Sequence, residues 1–245
     1  MKNIMILFIS IFFLFSCGDK TKEYKTTYEF TFNWDGTPVT YDDFNKIKYT
    51  NEFGHKLSIT KMRFLISNIV FTRSDDEKVK IKGYNFIDVA SNTGLVYTPE
   101  TTIPEGDYNI SFTFGFDTID NKKSYPDLNS VNWFWPESLG KGYHFMQYEG
   151  KFISSNGLEQ PYALHIGTAR VSEDVFEDNH FDVSLGSIKV DDDKRIEIKM
   201  NIAEWFKNPY KWDLDKYSTP LMPNYDAQIL MNKNGRSVFS LGTIE

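Results

Sequence analysis

Four histidines, His55, His144, His165 and His180, and one cysteine, Cys17, are the side chains of this 245-residue sequence best suited to metal or nucleophilic chemistry. A single thiol excludes disulfide frameworks, zinc fingers, iron–sulfur clusters and thiol-redox pairs within one chain. His165 sits in Leu164-His165-Ile166-Gly167. If Leu164 and Ile166 point into a core, His165 and Gly167 point outward, and Gly167 leaves room beside the imidazole. His144 alternates with Met146 and Tyr148 on one strand face, while Phe145, Gln147 and Glu149 take the other. His55 follows Gly54 at the start of a strand, and His180 follows the acidic stretch Glu173, Asp174, Glu177, Asp178; both read as solvated loop residues. Taken singly, each histidine fits a structural or solvated role.

The familiar catalytic strings are missing. No Gly-x-Ser-x-Gly elbow is present, no His-Glu-x-x-His occurs, and Gly140-Lys141-Gly142 lacks the glycine spacing of a phosphate loop. Asp191-Asp192-Asp193 and Asp75-Asp76-Glu77 are acidic enough for calcium but lack its loop spacing, and they read as hairpin turns. The protein is therefore expected to bind rather than to catalyse. With 27 Lys and Arg against 34 Asp and Glu, the net charge is −7, and no clustered basic face offers itself to nucleic acid.

The elements that must position these residues are strands. Tyr28, Phe30, Phe32 and Trp34 alternate with polar residues, as do Tyr108, Ile110, Phe112, Phe114 and Phe116, and Ile196, Ile198 and Met200. Leu57 to Phe71 is strand-like but changes phase near Ser67-Asn68, which predicts a bulge. Helix is scarce; Ile202 to Phe206 has room for a turn or two. With 40% hydrophobic and 16% aromatic residues there is ample core material. The pattern predicts an all-β, single-domain antiparallel β-sandwich with long loops and little helix. The 117–141 segment has neither period, and its length and its Trp133-Phe134-Trp135 run predict an ordered loop packed over one end of the sandwich. A second long segment, 208–225, also carries aromatics and prolines.

The N-terminus reads as an address. Lys2 precedes an apolar run from Ile4 to Phe15 that would reach about 18 Å as a helix, short of a bilayer core of about 30 Å. Leu14-Phe15-Ser16-Cys17 resembles the bacterial lipoprotein box, which implies a signal peptide over 1–16 and lipid on Cys17. The chain then divides into that leader, a lipidated N-terminus and tether over 17–26, and one domain over 27–245. Such a protein would be membrane-anchored in the bacterial cell envelope, on the periplasmic or cell-surface side.

Several strings, in order, resemble one family. They are Leu57-Ser58-Ile59, Phe64-Leu65-Ile66-Ser67-Asn68-Ile69, Phe86-Ile87-Asp88, Ile103-Pro104-Glu105-Gly106-Asp107-Tyr108 and Phe114-Gly115-Phe116-Asp117. The more specific ones follow: Asn132-Trp133-Phe134-Trp135, Gly142 to Gly150 (GYHFMQYEG), His165-Ile166-Gly167, Met222-Pro223-Asn224 and Asn234 to Phe239 (NGRSVF). Together they are similar to the MbnP-like family of periplasmic copper-binding proteins associated with methanobactin uptake. The resemblance implies a β-sandwich that binds copper, in which a di-haem peroxidase-type partner oxidises a tryptophan to kynurenine and the product joins histidines as a ligand. Carried onto this sequence, Trp133 is the residue for oxidation, His165 the foremost histidine ligand, and His144 the histidine nearest the tryptophan run. A metal-independent reading uses the same loop: a surface lipoprotein that stacks Trp133 and Trp135 on sugar faces, or an accessory subunit of an uptake complex.

Overall fold

Strands far outweigh helices among the described residues, and their side chains alternate as the sequence predicts. The computed structural model describes residues 21–245; the leader and the lipid-box Cys17 lie outside the described residues. In strand Thr26–Trp34 the even-numbered residues Thr26, Tyr28, Phe30 and Phe32 are buried, and the odd ones face solvent in part. The chain is paired even earlier than the expected boundary at 27, because Glu23–Tyr24 bonds to Ile103–Pro104.

Two sheets form the sandwich. The larger runs Phe181–Val190, Gly106–Phe114, Lys61–Thr72, Met146–Ile153, with Glu159–Ile166 beside the last and Tyr84–Asp88 beside Lys61–Thr72. The smaller runs Phe239–Ile244, Lys194–Asn201, Thr26–Trp34. Pairing is antiparallel except between Lys194–Asn201 and Thr26–Trp34, which run parallel. Phe64 joins the layers: its ring meets Phe30 edge-on at 6.1 Å, Phe32 at 6.2 Å and Phe239 at 6.0 Å. Each such buried ring is worth about 1.5–3 kcal/mol over leaving it in water.

The phase change at Ser67-Asn68 is a bulge. Asn68 has φ +50°, a conformation Asn tolerates better than most residues, and the pairing with Gly106–Phe114 shifts register there. Ser67 Oγ donates to the Gly115 carbonyl at 2.7 Å and Asn68 Nδ2 to Asp117 at 3.1 Å, so the bulge holds the start of the long loop. The Asp75-Asp76-Glu77 turn links Lys61–Thr72 to its antiparallel neighbour Lys78–Lys80. Asp191-Asp192-Asp193 is not a hairpin turn. The strand before it belongs to the larger sheet and the strand after it to the smaller, so the acidic triplet turns a corner between layers. Its charge is met by Lys194 and Lys189 on Asp191, at 2.9 and 3.1 Å.

The 117–141 loop is ordered, as its aromatics require. Asp117 accepts the amides of Ile119 and Asp120, and Pro126 opens a short helix, Pro126–Ser130, whose Leu128 is buried. The Tyr143 hydroxyl accepts from the Tyr125 amide at 2.9 Å and bonds the Asn129 side chain at 3.0 Å. Ile202–Phe206 forms the expected short 3₁₀ turn. The second long segment buries Trp212, Leu214 and Leu221, then enters an α-helix, Tyr225–Gly235, capped by Asn224.

Candidate metal centre

The larger sheet presents two faces on strand Met146–Ile153. Met146 and Tyr148 enter the core, while Gln147 and Glu149 lie on the opposite face. His165 is the cross-strand partner of Gln147 on one side, and Arg63 on the other. Leu164 and Ile166 are fully buried, so His165 points outward as its sequence context predicts.

His144 departs from the sequence reading. It does not share a face with Met146 and Tyr148, because the chain slips where the strand begins. Phe145 and Met146 are both buried, Phe145 against Gly115, where an added Cβ would lie 2.4 Å from the ring. The slip turns the His144 ring onto His165. The two imidazoles are perpendicular, with centroids 5.1 Å apart. Trp133 and Trp135 close over His144 at 5.4 and 4.9 Å. Main-chain bonds set this arrangement: the His144 amide donates to the Trp133 carbonyl at 2.9 Å, and the Trp135 amide to Gly142 at 2.8 Å.

The space beside Gly167 is filled by Trp135, whose indole lies 2.5 Å from where a Cβ would sit. From outside, Gln228 of the helix donates to the His165 carbonyl at 2.7 Å and accepts from the Gly167 amide at 3.3 Å. The backbone carrying His165 is therefore held from two sides.

His144 is 5% exposed, Trp135 1% and Trp133 0%. Burial, then the neighbouring His165 and Arg63, pushes the His144 imidazole down to about 3. A neutral ring keeps a lone pair at physiological pH, which a metal ligand requires. Its Nδ1 has no hydrogen-bond partner, and neither does Trp133 Nε1. An orphaned buried polar group costs about 1–3 kcal/mol, and here two of them lie on rings in contact with each other. His165 Nε2 lies 2.9 Å from Glu149 Oε1, and Lys61 donates to the same carboxylate at 2.8 Å. These two contacts outweigh burial and hold the Glu149 carboxyl down to about 2. Arg63 lies over the Trp133 ring at 5.3 Å and also bonds Gln147.

The sequence reading missed Lys61, Arg63 and Glu149 as parts of the site; the signal was their place on the polar face of neighbouring strands. Trp133 and Trp135 offer no face to a sugar, which corrects the stacking role considered for them; Phe134, 54% exposed, is the aromatic of that run that meets solvent. His180 is partly buried, and its carbonyl accepts from Asn232 of the helix. His55 is not solvated: it is 6% exposed and lies against Asp213 and Asp215.

The paired imidazoles fit a metal, but incompletely. Among the described residues they belong to no group of three His, Cys, Asp or Glu donor atoms within 4.8 Å of one another. Of the two neighbours with an unpartnered nitrogen, Arg63 is a cation and no ligand, which leaves Trp133 as the candidate for a third donor.

Comparison with known proteins agrees with the resemblance. The family model for MbnP matches residues 23–223. The chain belongs to the MbnP family. A solved structure, MbnP from Methylosinus trichosporium, shares the fold at a TM-score of 0.55 and 12% identity, over 90% of this chain and 99% of that one. No curated protein matches.

Proposed function

We propose that this MbnP-family protein is an exported, lipid-anchored copper-binding protein of the cell envelope. The observation that carries the reading is the perpendicular His144–His165 pair, with His144 buried beneath Trp133 and unpartnered nitrogens on His144 and Trp133. His144 and His165 would hold the ion, and imidazole suits copper. Lys61 and Arg63 are offset by Glu149 and Asp88, so the surroundings add no net charge to the two imidazoles.

Trp133 would supply the third donor after oxidation to kynurenine by a di-haem peroxidase-type partner. Two oxygen atoms, from two equivalents of peroxide reduced to water, add across the C2–C3 bond of the indole, which breaks. Hydrolysis then releases the formyl carbon as formate and leaves an aryl amine, a net gain of about 4 Da. The amine lone pair can bind copper, as the indole nitrogen cannot. Protein purified from its native host, metal-stripped and titrated with Cu(I), tests the reading together with intact-mass analysis. Tight binding that is weakened in His165→Ala supports it, and equal titrations overturn it.

A second reading has its own observation. Phe134 and Phe176, both exposed, line an open groove of about 1050 Å³ with Asn121, Lys122, Lys141 and Glu177. A glycan or a protein of an uptake complex bound there would need no metal. Ligand binding that survives chelator would favour it.

A further inference from the structure

The second metal-ligand cluster lies at the far end of the same strand. His55, Asp213 and Asp215 each place one donor atom within 4.8 Å of the other two, among the described residues the one such trio. His55 Nε2 is 3.2 Å from Asp215 Oδ2 and 3.9 Å from Asp213 Oδ1. Donors about 2.1 Å from a tetrahedral zinc ion stand about 3.4 Å apart, so the trio needs little movement to close on one. Its ring is fixed between Phe53, stacked at 5.5 Å, and Phe152, edge-on at 5.4 Å. Phe152 and the His165 partner Gln147 share strand Met146–Ile153, about 17 Å apart along it.

His55 is more than nine-tenths buried and aims Nε2 into the cluster, yet it makes no polar side-chain contact elsewhere; its Nδ1 is unpartnered. Nε2 donates to the Asp215 carboxylate, so a cation entering the cluster would take the place of that one proton. Among the described residues, His55 is also the one salt-bridge partner of both carboxylates. Two anions therefore converge on a buried ring that carries at most one positive charge. The supporting geometry is already rigid. Asn51 accepts the amides of Phe53 and His55 and donates to the Trp212 carbonyl at 3.0 Å, and Asp215 accepts the Ser155 amide at 3.1 Å.

We propose that His55, Asp213 and Asp215 form a divalent-cation site, suited to zinc, that staples the 206–224 segment to the edge of the larger sheet. One imidazole with two carboxylates is a borderline-to-hard donor set, which accepts Zn²⁺ and discriminates against Cu(I). The two carboxylates are partly exposed, so water can complete the coordination. The site is independent of the His144–His165 pair and asks for a different ion.

Zinc titration of the metal-free protein tests this, with Asp213→Asn and Asp215→Asn as the variants. Asparagine keeps the oxygen that accepts the Asp215 or Ser155 amide, so the loop retains its hydrogen bonds. The expected result is stoichiometric zinc binding, weakened about 10-fold or more in each variant and unchanged in His165→Ala, with zinc raising the melting temperature of the wild type. Histidine-selective NMR of the wild type gives a readout free of variant folding: zinc should shift the His55 ring nitrogens. Absence of zinc binding, equal affinity in the variants, or a zinc response confined to His144 and His165 overturns the proposal.

Discussion

The imidazoles of His144 and His165 meet at right angles, 5.1 Å between centroids, because a slip in one strand faces a glycine in the next. Phe145 drops into the space beside Gly115, which leaves His144 turned toward His165, and Gly167 lets Trp135 pack against the chain that carries His165. Neither histidine could reach the other from an unbroken alternation.

If the pair holds copper, each imidazole contributes separately. His165→Ala and His144→Gln are each expected to weaken Cu(I) binding about 10-fold or more, measured by competition with a chelator of known affinity. His165 is the cleaner variant, since it is the more exposed of the two. An unchanged affinity in both would remove the pair from the site.

The metal-free protein should carry the mark of His144 in its pH dependence. Its ring is held down to about 3 by burial, while in the unfolded chain it titrates near its ordinary 6.5. Between those values the unfolded state binds the extra proton, so folded-state stability falls as pH drops from about 6.5 toward about 3. Denaturant melts across this window should show a shallower acid loss in His144→Gln than in wild type. Parallel pH profiles would show that the ring is not held neutral.

Much of the fold was legible because alternation reports burial directly: the even-numbered residues of Thr26–Trp34 and the inward pair Leu164 and Ile166 fall where the pattern puts them. The bulge was legible too, since an Asn at a phase break tolerates positive φ. The Tyr225–Gly235 helix was not, because its buried face includes Gln228 and Asn234, polar residues bonded to the backbone of neighbouring segments, so no apolar stripe appears. His144 was placed on the wrong face for a related reason. Alternation cannot show that two successive residues, Phe145 and Met146, are both drawn inward by packing across the chain. His55 looked solvated because the carboxylates that meet it come from residues distant in sequence.

Gly167 has a purely steric role that can be measured. Gly167→Ala would put a methyl 2.5 Å from the Trp135 indole, a ring held in place by its Nε1 bond to the Leu139 carbonyl. A cost of about 1–3 kcal/mol is expected in denaturant melts, typical of overpacking a tight core. Trp135→Phe combined with Gly167→Ala should recover part of it, since the smaller ring yields the space. Additive losses would contradict the contact.

The lipid anchor is a matter for Cys17. Cys17→Ala, or globomycin treatment of the native host, is expected to leave the precursor misprocessed and the protein without its lipid. Membrane fractionation and intact mass check this. An unchanged membrane-bound mature form would remove the anchor from the proposal.

Trp133 separates packing from chemistry most sharply. Its ring is wholly buried, edge-on to Phe86 at 4.9 Å and under Arg63, yet its Nε1 hydrogen has no acceptor. Truncation to alanine should cost about 3–5 kcal/mol, as for other buried aromatics. Phenylalanine is different: it gives up part of the ring volume but also removes an unsatisfied donor worth about 1–3 kcal/mol, so the two effects largely cancel. Trp133→Phe is therefore expected to melt close to wild type while abolishing both the gain of about 4 Da and the third copper donor. Native protein should show that mass change on the peptide containing Trp133, and its copper affinity should exceed that of Trp133→Phe about 10-fold or more. Equal copper affinity in a Trp133→Phe protein that folds normally would leave Trp133 as a core residue and restrict any metal to the histidines.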